Sequence, residues 1–255
     1  MKRIENKVAI VTGAASGLGK AITLLYLAEG AKVLAADINE KNLYALKNDA
    51  PANNGYLTTI VANMATDDDI ENMVKKAIDT YGTVDILVNN AGIMDDFSPA
   101  AEVTDDMWDH VMAINLNGPF KAMRAVLKIM LEKKSGVIIN IASVGGLQGA
   151  RAGAAYTASK HAIIGLTKNT GYMYAKSGLR CNAIAPGAME TNIGATIDFS
   201  KISTLANERI MPGMVLNPRS SKPSEVANIA LFLASEAASF INGAVIVADG
   251  GWTAY

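Results

Sequence analysis

Val8-Ala9-Ile10-Val11-Thr12-Gly13-Ala14-Ala15-Ser16-Gly17-Leu18-Gly19 carries the first decision about this chain. Val8 to Val11 is short, continuous and β-branched, the pattern of a strand buried on both faces. Thr12 to Gly19 turns it into a helix predicted to run to about Glu29. Glycines 13, 17 and 19 let the backbone turn sharply and approach a ligand closely. The helix behind them begins with amides that have no intrahelical partner. The chain contains 22 glycines, so a triplet at this spacing has weight only through its place between strand and helix. That place is the one a pyrophosphate cradle needs, with a plain tight turn as the alternative.

Working outward, Lys32 to Ala36 reads as a second strand ending at Asp37, eighteen residues beyond Gly19. A carboxylate at that strand end accepts both ribose hydroxyls of a dinucleotide and repels a 2′-phosphate. Ala15 and Ile38 stand where a basic residue would be wanted for such a phosphate, so NAD is favoured over NADP. Asp37 can also cap the helix expected over Asn39 to Asn48.

The alternation continues to the end of the chain. Strands are predicted at Tyr56 to Ala62, Asp85 to Val88, Val137 to Ile141, Leu179 to Ala185 and Ala244 to Ala248. Helices are predicted at Asp67 to Tyr81, from Thr104 to about His110, at Ile114 to Glu132, to about Lys176, and at Ser224 to Ser235. Asn89-Asn90-Ala91-Gly92 follows the fourth strand and is expected both to cap the sheet edge and to line a cofactor floor. Residues 188–223 interrupt the rhythm, reading as two short helices and a loop that forms a substrate-binding lid. Met189, Met211 and Met214 within it suit an adaptable apolar pocket or plain core packing about equally. The prediction is α/β: a Rossmann-type, doubly wound, parallel seven-stranded sheet in a three-layer α/β/α sandwich, one domain over residues 1–255.

Ser143 to Lys160, SVGGLQGARAGAAYTASK, holds the candidate chemistry. Ser143 lies just beyond a strand, where open α/β sheets place ligands. Tyr156 and Lys160 are four apart and share one helix face. A fixed ammonium favours the phenolate, and bringing a Tyr from ~10 to near neutral takes ~4 kcal/mol. Tyr172 and Lys176 repeat the spacing on the same predicted helix. Sixteen residues at ~3.6 per turn put that pair roughly 160° around the axis, so it is assigned to the surface. Arg151 reads first as a solvated loop arginine, with contact to an anionic substrate group as the alternative.

Bulk properties exclude several classes. Net charge is −1 and the pI near 6.1, which gives no reason to expect nucleic acid or a membrane surface as partner. No apolar run approaches the ~18 residues of a membrane span. Met1 to Lys7 is too charged for a signal peptide. A single Cys181 and two His provide neither a disulfide framework nor a zinc site, so no metal is expected and a cytoplasmic location is.

Taken together, these residues resemble the short-chain dehydrogenase/reductase family over the full length. The signatures are the Thr12–Gly19 turn, the Asn89–Gly92 run, Asn115, Ser143, Tyr156 with Lys160, and Pro186-Gly187 with Thr191. The resemblance implies sheet order 3-2-1-4-5-6-7, a nicotinamide cofactor and a homotetramer built by pairing the two long helices. It implies Tyr156 as general acid/base and Lys160 as the group that lowers its pKa and holds the ribose. Ser143 would orient the substrate oxygen, and Asn115 would hold a water joining Lys160 to solvent. Cofactor contacts would come from Gly13, Ser16, Gly17, Leu18, Gly19, Asp37, Asn63, Met64, Asn90, Ala91, Gly92, Tyr156, Lys160, Pro186, Gly187 and Thr191. Asn63 departs from the acidic residue usual at its position. The implied reaction interconverts a small-molecule ketone and a secondary alcohol. A reductase of 3-oxoacyl thioesters on a carrier protein or coenzyme A is the alternative, weakened because only Lys133 and Lys134 stand for a basic docking patch. A non-catalytic dinucleotide sensor has no need of the Ser143, Tyr156 and Lys160 set. A sugar-nucleotide epimerase needs a further substrate domain.

Overall fold

Successive residues of the buried strands go to opposite sides of one sheet, and both sides are covered. Ala9, Val11, Val33, Ala35, Ile86, Val88 and Ile139 enter one apolar layer with Ile22, Tyr26, Val226 and Leu231. Their neighbours Ile10, Leu34, Ala36, Leu87 and Ile138 enter the other, with Ile70, Met73, Val126 and Met130. Two buried faces are why these strands read as continuous apolar runs and not as alternating ones. The computed structural model describes residues 2–50, 56–194, 197, 199 and 202–255.

The strands are β1 (Val8–Thr12), β2 (Lys32–Asp37), β3 (Leu57–Val61), β4 (Ile86–Asn89), β5 (Gly136–Ile141), β6 (Leu179–Pro186) and β7 (Val245–Ala248). They lie in the order β3-β2-β1-β4-β5-β6-β7, and every pairing is parallel. The order predicted by resemblance is the one observed. The chain reverses direction across the sheet between β1 and β4, so a crevice opens at their C-terminal ends.

The helices are α1 (Gly17–Ala28), α2 (Glu40–Asp49), α3 (Asp67–Tyr81), α4 (Asp105–Met112), α5 (Gly118–Lys133), α6 (Ala154–Met173), α7 (Thr204–Arg209), α8 (Met211–Met214) and α9 (Pro223–Ala234). α1 and α9 pack together on one face, tied by the Tyr26 hydroxyl donating to the Ala230 carbonyl at 3.0 Å. α3 and α5 pack on the other face. Among the described residues no helix is long and apolar enough to cross a membrane.

Three local expectations are revised. The helices expected to either side of residue 112 are one run, because α4 passes through a π turn (Ala113–Asn117) into α5. Pro119 has no amide with which to bond the Asn115 carbonyl in α geometry, and the wider turn accommodates that loss. Lys176 does not share a helix with Tyr172: α6 stops at Met173, and Lys176 belongs to a separate 3-10 turn, Ala175–Ser177. Residues 188–223 contain three short helical pieces among the described residues, Asn192–Gly194, α7 and α8. A parallel bridge between Met189 and Ser221 joins the two ends of that segment.

Candidate active site

The glycine turn after β1 is shaped by close approaches that only glycine permits. Gly13 and Gly17 have φ of +61° and +47°, in the left-handed region. A Cβ on Gly19 would lie 2.0 Å from the Gly13 carbonyl oxygen and 2.5 Å from Asn90 Nδ2. Asn90 fixes the turn from the neighbouring strand, its Nδ2 donating to the Thr12 and Gly13 carbonyls at 2.9 and 3.1 Å. The Asn90 and Ala91 amides both donate to Thr12 Oγ1 at 3.0 Å. Asn89 turns away, its Nδ2 donating to Asn140 inside the sheet. These contacts tie the run to the glycine turn and the sheet, and Asn90, Ala91 and Gly92 border the crevice.

Asp37, at the end of β2, receives the Ala15 amide on Oδ2 and the Asn39 amide on Oδ1, each at 2.9 Å. It is not the cap of α2. Asn39 holds that position, accepting from the Asn42 amide, because its side chain stands two residues closer to the first turn. Asn63 accepts the Ala65 amide on Oδ1 at 2.9 Å, which leaves its amide nitrogen as the unengaged group.

These groups border one cavity of about 700 Å³, which runs from Asp37 past Gly13, Ser16, Gly17 and Leu18 to Ser143, Tyr156 and Lys160. Asn63, Met64, Ala91, Gly92, Pro186, Gly187 and Thr191 also line it. Thr191 Oγ1 is buried there without a hydrogen-bond partner among the described residues. It stands opposite Gly17, where a Cβ would come within 3.1 Å of Thr191 Cγ2. A glycine cradle, an orphaned hydroxyl and a carboxylate at the far end fit a dinucleotide in shape and in donor set.

At the other end, Ser143 leaves β5 and caps a short 3-10 turn, its Oγ accepting the Gly145 amide at 3.0 Å. Gly145 packs beside both Ser143 and the Tyr156 ring, within 3.4 Å of each from its would-be Cβ. Tyr156 and Lys160 are 6% and 4% exposed. Lys160 Nζ lies 5.5 Å from the Tyr156 ring centroid and donates to the Ile141 carbonyl at 2.8 Å. So the strand end holds the lysine and the helix presents the phenol.

The expected lowering of the phenol is not what this arrangement gives. Burial pushes Tyr156 up to about 12, with the neighbouring Ser143 hydroxyl pulling down and Asp95 adding to the rise. Burial also takes Lys160 down to about 8. The reason is desolvation: both groups are enclosed by packed protein, and each charged form is disfavoured. Tyr156 is therefore a proton carrier at neutral pH.

Asn115, buried in the π turn, has hydrogen bonds at both ends of its side-chain amide. Oδ1 accepts the Ile93 amide, and Nδ2 donates to the Ile93 carbonyl, both at 2.9 Å, with Ser159 Oγ at 3.2 Å. Its side chain pins the loop after β4, with one lone pair of Oδ1 beyond the Ile93 bond. Asp95, which sequence reasoning missed, is buried and receives the Phe97, Gly153 and Tyr156 amides at 3.1, 3.0 and 2.8 Å. Gly153, the residue before α6, has no side chain to cap it, so Asp95 caps the helix from 58 residues away. Burial pushes its carboxyl up, against the pull of those amides. Phe97 beside it has φ of +64° and lines the cavity, a strained backbone at the substrate end.

Two further expectations change. Arg151 is not solvated: it is 6% exposed and lines the cavity beside Trp252. Lys133 and Lys134 lie just before the N-terminal end of β5, away from the crevice at the C-terminal strand ends, and Lys133 is paired with Asp85. They form no patch at the mouth of the site. Tyr172, 84% exposed, belongs to the surface as expected.

A family model described as enoyl-(acyl carrier protein) reductase matches residues 13–253. The 3beta-hydroxysteroid dehydrogenase 2 of Eggerthella lenta is 45% identical over 253 residues, covering 99% of this chain and 96% of that protein. The 3-oxoacyl-acyl-carrier-protein reductase of Thermotoga maritima is 40% identical over 249 residues, 98% of each chain. Among solved structures, that of levodione reductase superposes with a TM-score of 0.89 at 35% identity, over 99% of this chain and 100% of the other.

Proposed function

The chain belongs to the short-chain dehydrogenase/reductase family, oxidoreductases of CH–OH groups, and from that we propose that it interconverts a largely apolar ketone and its secondary alcohol with NADH. The observation that carries the reading is the meeting of Ser143, Tyr156 and Lys160 at one end of a cavity whose other end is Asp37. The relatives named for a hydroxysteroid and for levodione support a ketone of that kind. A bound nicotinamide dinucleotide supplies a hydride to the carbonyl carbon, or accepts one from the alcohol. The Ser143 hydroxyl donates a hydrogen bond to the substrate oxygen and fixes its direction. Tyr156 gives its phenolic proton to that oxygen, so that carbon gains hydride and oxygen gains proton. Lys160 stabilises the phenolate left behind. Asn115 and Asp95 are positioning residues, holding the loop after β4 and the start of α6. Met189, Ile193, Met211 and Met214, from the segment after β6, line the cavity on the side proposed to take the substrate. The apolar groove between α5 and α6, lined by Leu116, Phe120 and Leu166, supports pairing of copies into a homotetramer. The buried, unpaired Cys181 suits a reducing cytoplasm.

The test is a screen of NADH oxidation against cyclic ketones, diketones, 3-oxosteroids and acetoacetyl thioesters, with NADPH in parallel. NADH turnover is expected to exceed NADPH turnover at least tenfold, roughly a 1.4 kcal/mol preference. Asp37→Ser should narrow that gap by removing the charge that repels the 2′-phosphate. Equal rates with the two cofactors in the unmodified enzyme would count against Asp37 as the discriminating group.

The pH profile has a definite sign. Tyr156 is raised, so between pH 6 and 8 it stays protonated and its titration leaves reduction unchanged. Oxidation needs the phenolate, whose fraction rises with pH across the same interval. Expected results are a rising kcat/KM for oxidation, and for reduction a kcat/KM that is flat from pH 6 to 7 and begins to fall toward pH 8 as Lys160, lowered to about 8, loses its charge. An oxidation profile that falls from pH 6 to 8 would contradict this assignment.

A further inference from the structure

Proton and hydride transfer make no use of Arg151, yet Arg151 lines the same cavity. Its guanidinium lies over the Trp252 ring, 4.4 Å from the centroid. Every acceptor it has among the described residues is neutral. Nη2 donates to the Tyr255 hydroxyl at 2.9 Å, and Nη1 reaches the Gly213 and Ala150 carbonyls at 3.3 and 3.5 Å. The last two are longer than a well-formed N–H···O bond. Nε–H is buried with no partner among those residues. None of their carboxylates lies within ion-pair distance of it.

A buried cation without a counter-ion is costly, and the stack on Trp252 recovers only part of that cost. A strut between the loop, α8 and the C-terminus could be made from a neutral side chain. What a neutral side chain cannot offer is a rigid planar edge of charged donors, the shape that takes a carboxylate through two parallel hydrogen bonds. Among the described residues, the only other Lys or Arg in the cavity lining is Lys160, already on the Ile141 carbonyl. One available positive charge suits a monoanion and not a phosphate dianion. Around it the lining is apolar: Phe97, Met211, Met214 and Trp252.

Resting on the oxidoreductase reading above, we propose that the substrate is an oxo acid: an apolar body bearing the reacting ketone and a carboxylate that supplies the counter-ion of the Arg151 guanidinium. The reaction is unchanged by this. The carboxylate is a handle, bound alike in ketone and alcohol, so Arg151 acts on affinity more than on the chemical step.

Matched pairs test it: 4-oxocyclohexane-1-carboxylate, 4-(4-oxocyclohexyl)benzoate and 3-oxo-4-androstene-17β-carboxylate, each beside its methyl ester. Steady-state kinetics with NADH, and calorimetric binding in the presence of NAD, are measured for the unmodified enzyme, Arg151→Met and Arg151→Lys. At least one acid should exceed its ester tenfold or more in kcat/KM and in affinity. Arg151→Met should remove that preference chiefly through KM, lowering kcat/KM for the acid at least tenfold more than for its ester. Arg151→Lys should restore part of it, having the charge without the fork. Equal use of acids and esters by the unmodified enzyme would overturn the proposal. So would an equal loss on both members of a pair in Arg151→Met, the signature of a strut. If acids bind selectively but no ketone turns over, the anion site stands and the oxidoreductase reading falls. If esters and plain ketones turn over with no preference for acids, the oxidoreductase reading stands and the anion site falls.

Discussion

Replacing Tyr156 with Phe is expected to lower kcat about a thousandfold while NADH affinity stays within about twofold. The ring remains and only the hydroxyl goes, so the packing against Gly145 and the start of α6 is kept. The lost atom is the one that carries the proton, and general acid catalysis by a positioned side chain typically contributes ~10²–10⁴ in rate. Burial makes the loss harder to cover. Tyr156 lies in a site also lined by Ile141, Val144 and Met94, where no neighbouring side chain among the described residues supplies a second acid in its place. Tyr172→Phe is the control. Its side chain is exposed and its lysine partner lies on another turn, so kcat should be unchanged. Stopped-flow and steady-state measurements on both variants decide between the outcomes: a Tyr156→Phe enzyme within tenfold of normal would remove the phenol from the mechanism.

The framework of this site is legible in the sequence where contacts are local or periodic. β1, the glycine turn and α1 form one continuous stretch, and each feature of it follows from residues within about twenty positions. Tyr156 and Lys160 are one helical turn apart, so their shared face needs no tertiary knowledge. What escapes a reading along the chain depends on partners far away in sequence. Asp95 becomes a helix cap only because the fold brings Gly153 and Tyr156 to it from 58 and 61 residues away. Arg151 looks like a loop arginine until Gly213 and Tyr255, 62 and 104 residues on, close over it. The phenol's proton affinity fails for the same reason. A neighbouring ammonium is visible in sequence, and the desolvation that outweighs it is not. The π turn is partly legible, since Pro119 sits inside a stretch that otherwise reads as helix, but a kink and a wider turn satisfy that signal equally well.

Lys160→Met should produce an enzyme that is less active and more stable. The ammonium is 4% exposed, its acceptor among the described residues is the Ile141 carbonyl, and burial has already pulled its pKa down to about 8. That depression means the unfolded chain binds the proton more readily than the folded one. The penalty is therefore fully present at neutral pH and fades as pH rises from about 8 toward the ordinary lysine value of 10.5. Methionine has nearly the same length and no charge to desolvate. Replacing a buried ion by a well-packed apolar residue is neutral or stabilising by about 1–4 kcal/mol, and leaving the Ile141 carbonyl without its donor takes back about 1 kcal/mol or more. A net gain of about 1–2 kcal/mol corresponds to a Tm rise of about 2–8 °C in a chain of this size. The gain should shrink when measured at pH 10, where the native lysine is no longer charged. Over the same substitution kcat should fall about a hundredfold or more, because the phenolate left by proton transfer loses the charge beside it. Calorimetric melting at pH 7 and pH 10, run beside the kinetics, separates this from a simple folding defect. A Tm that drops at both pH values would mean that the lysine is retained for packing, whereas a rise at pH 7 with lost turnover means that the fold tolerates a strained charge at this position for the sake of the proton it governs.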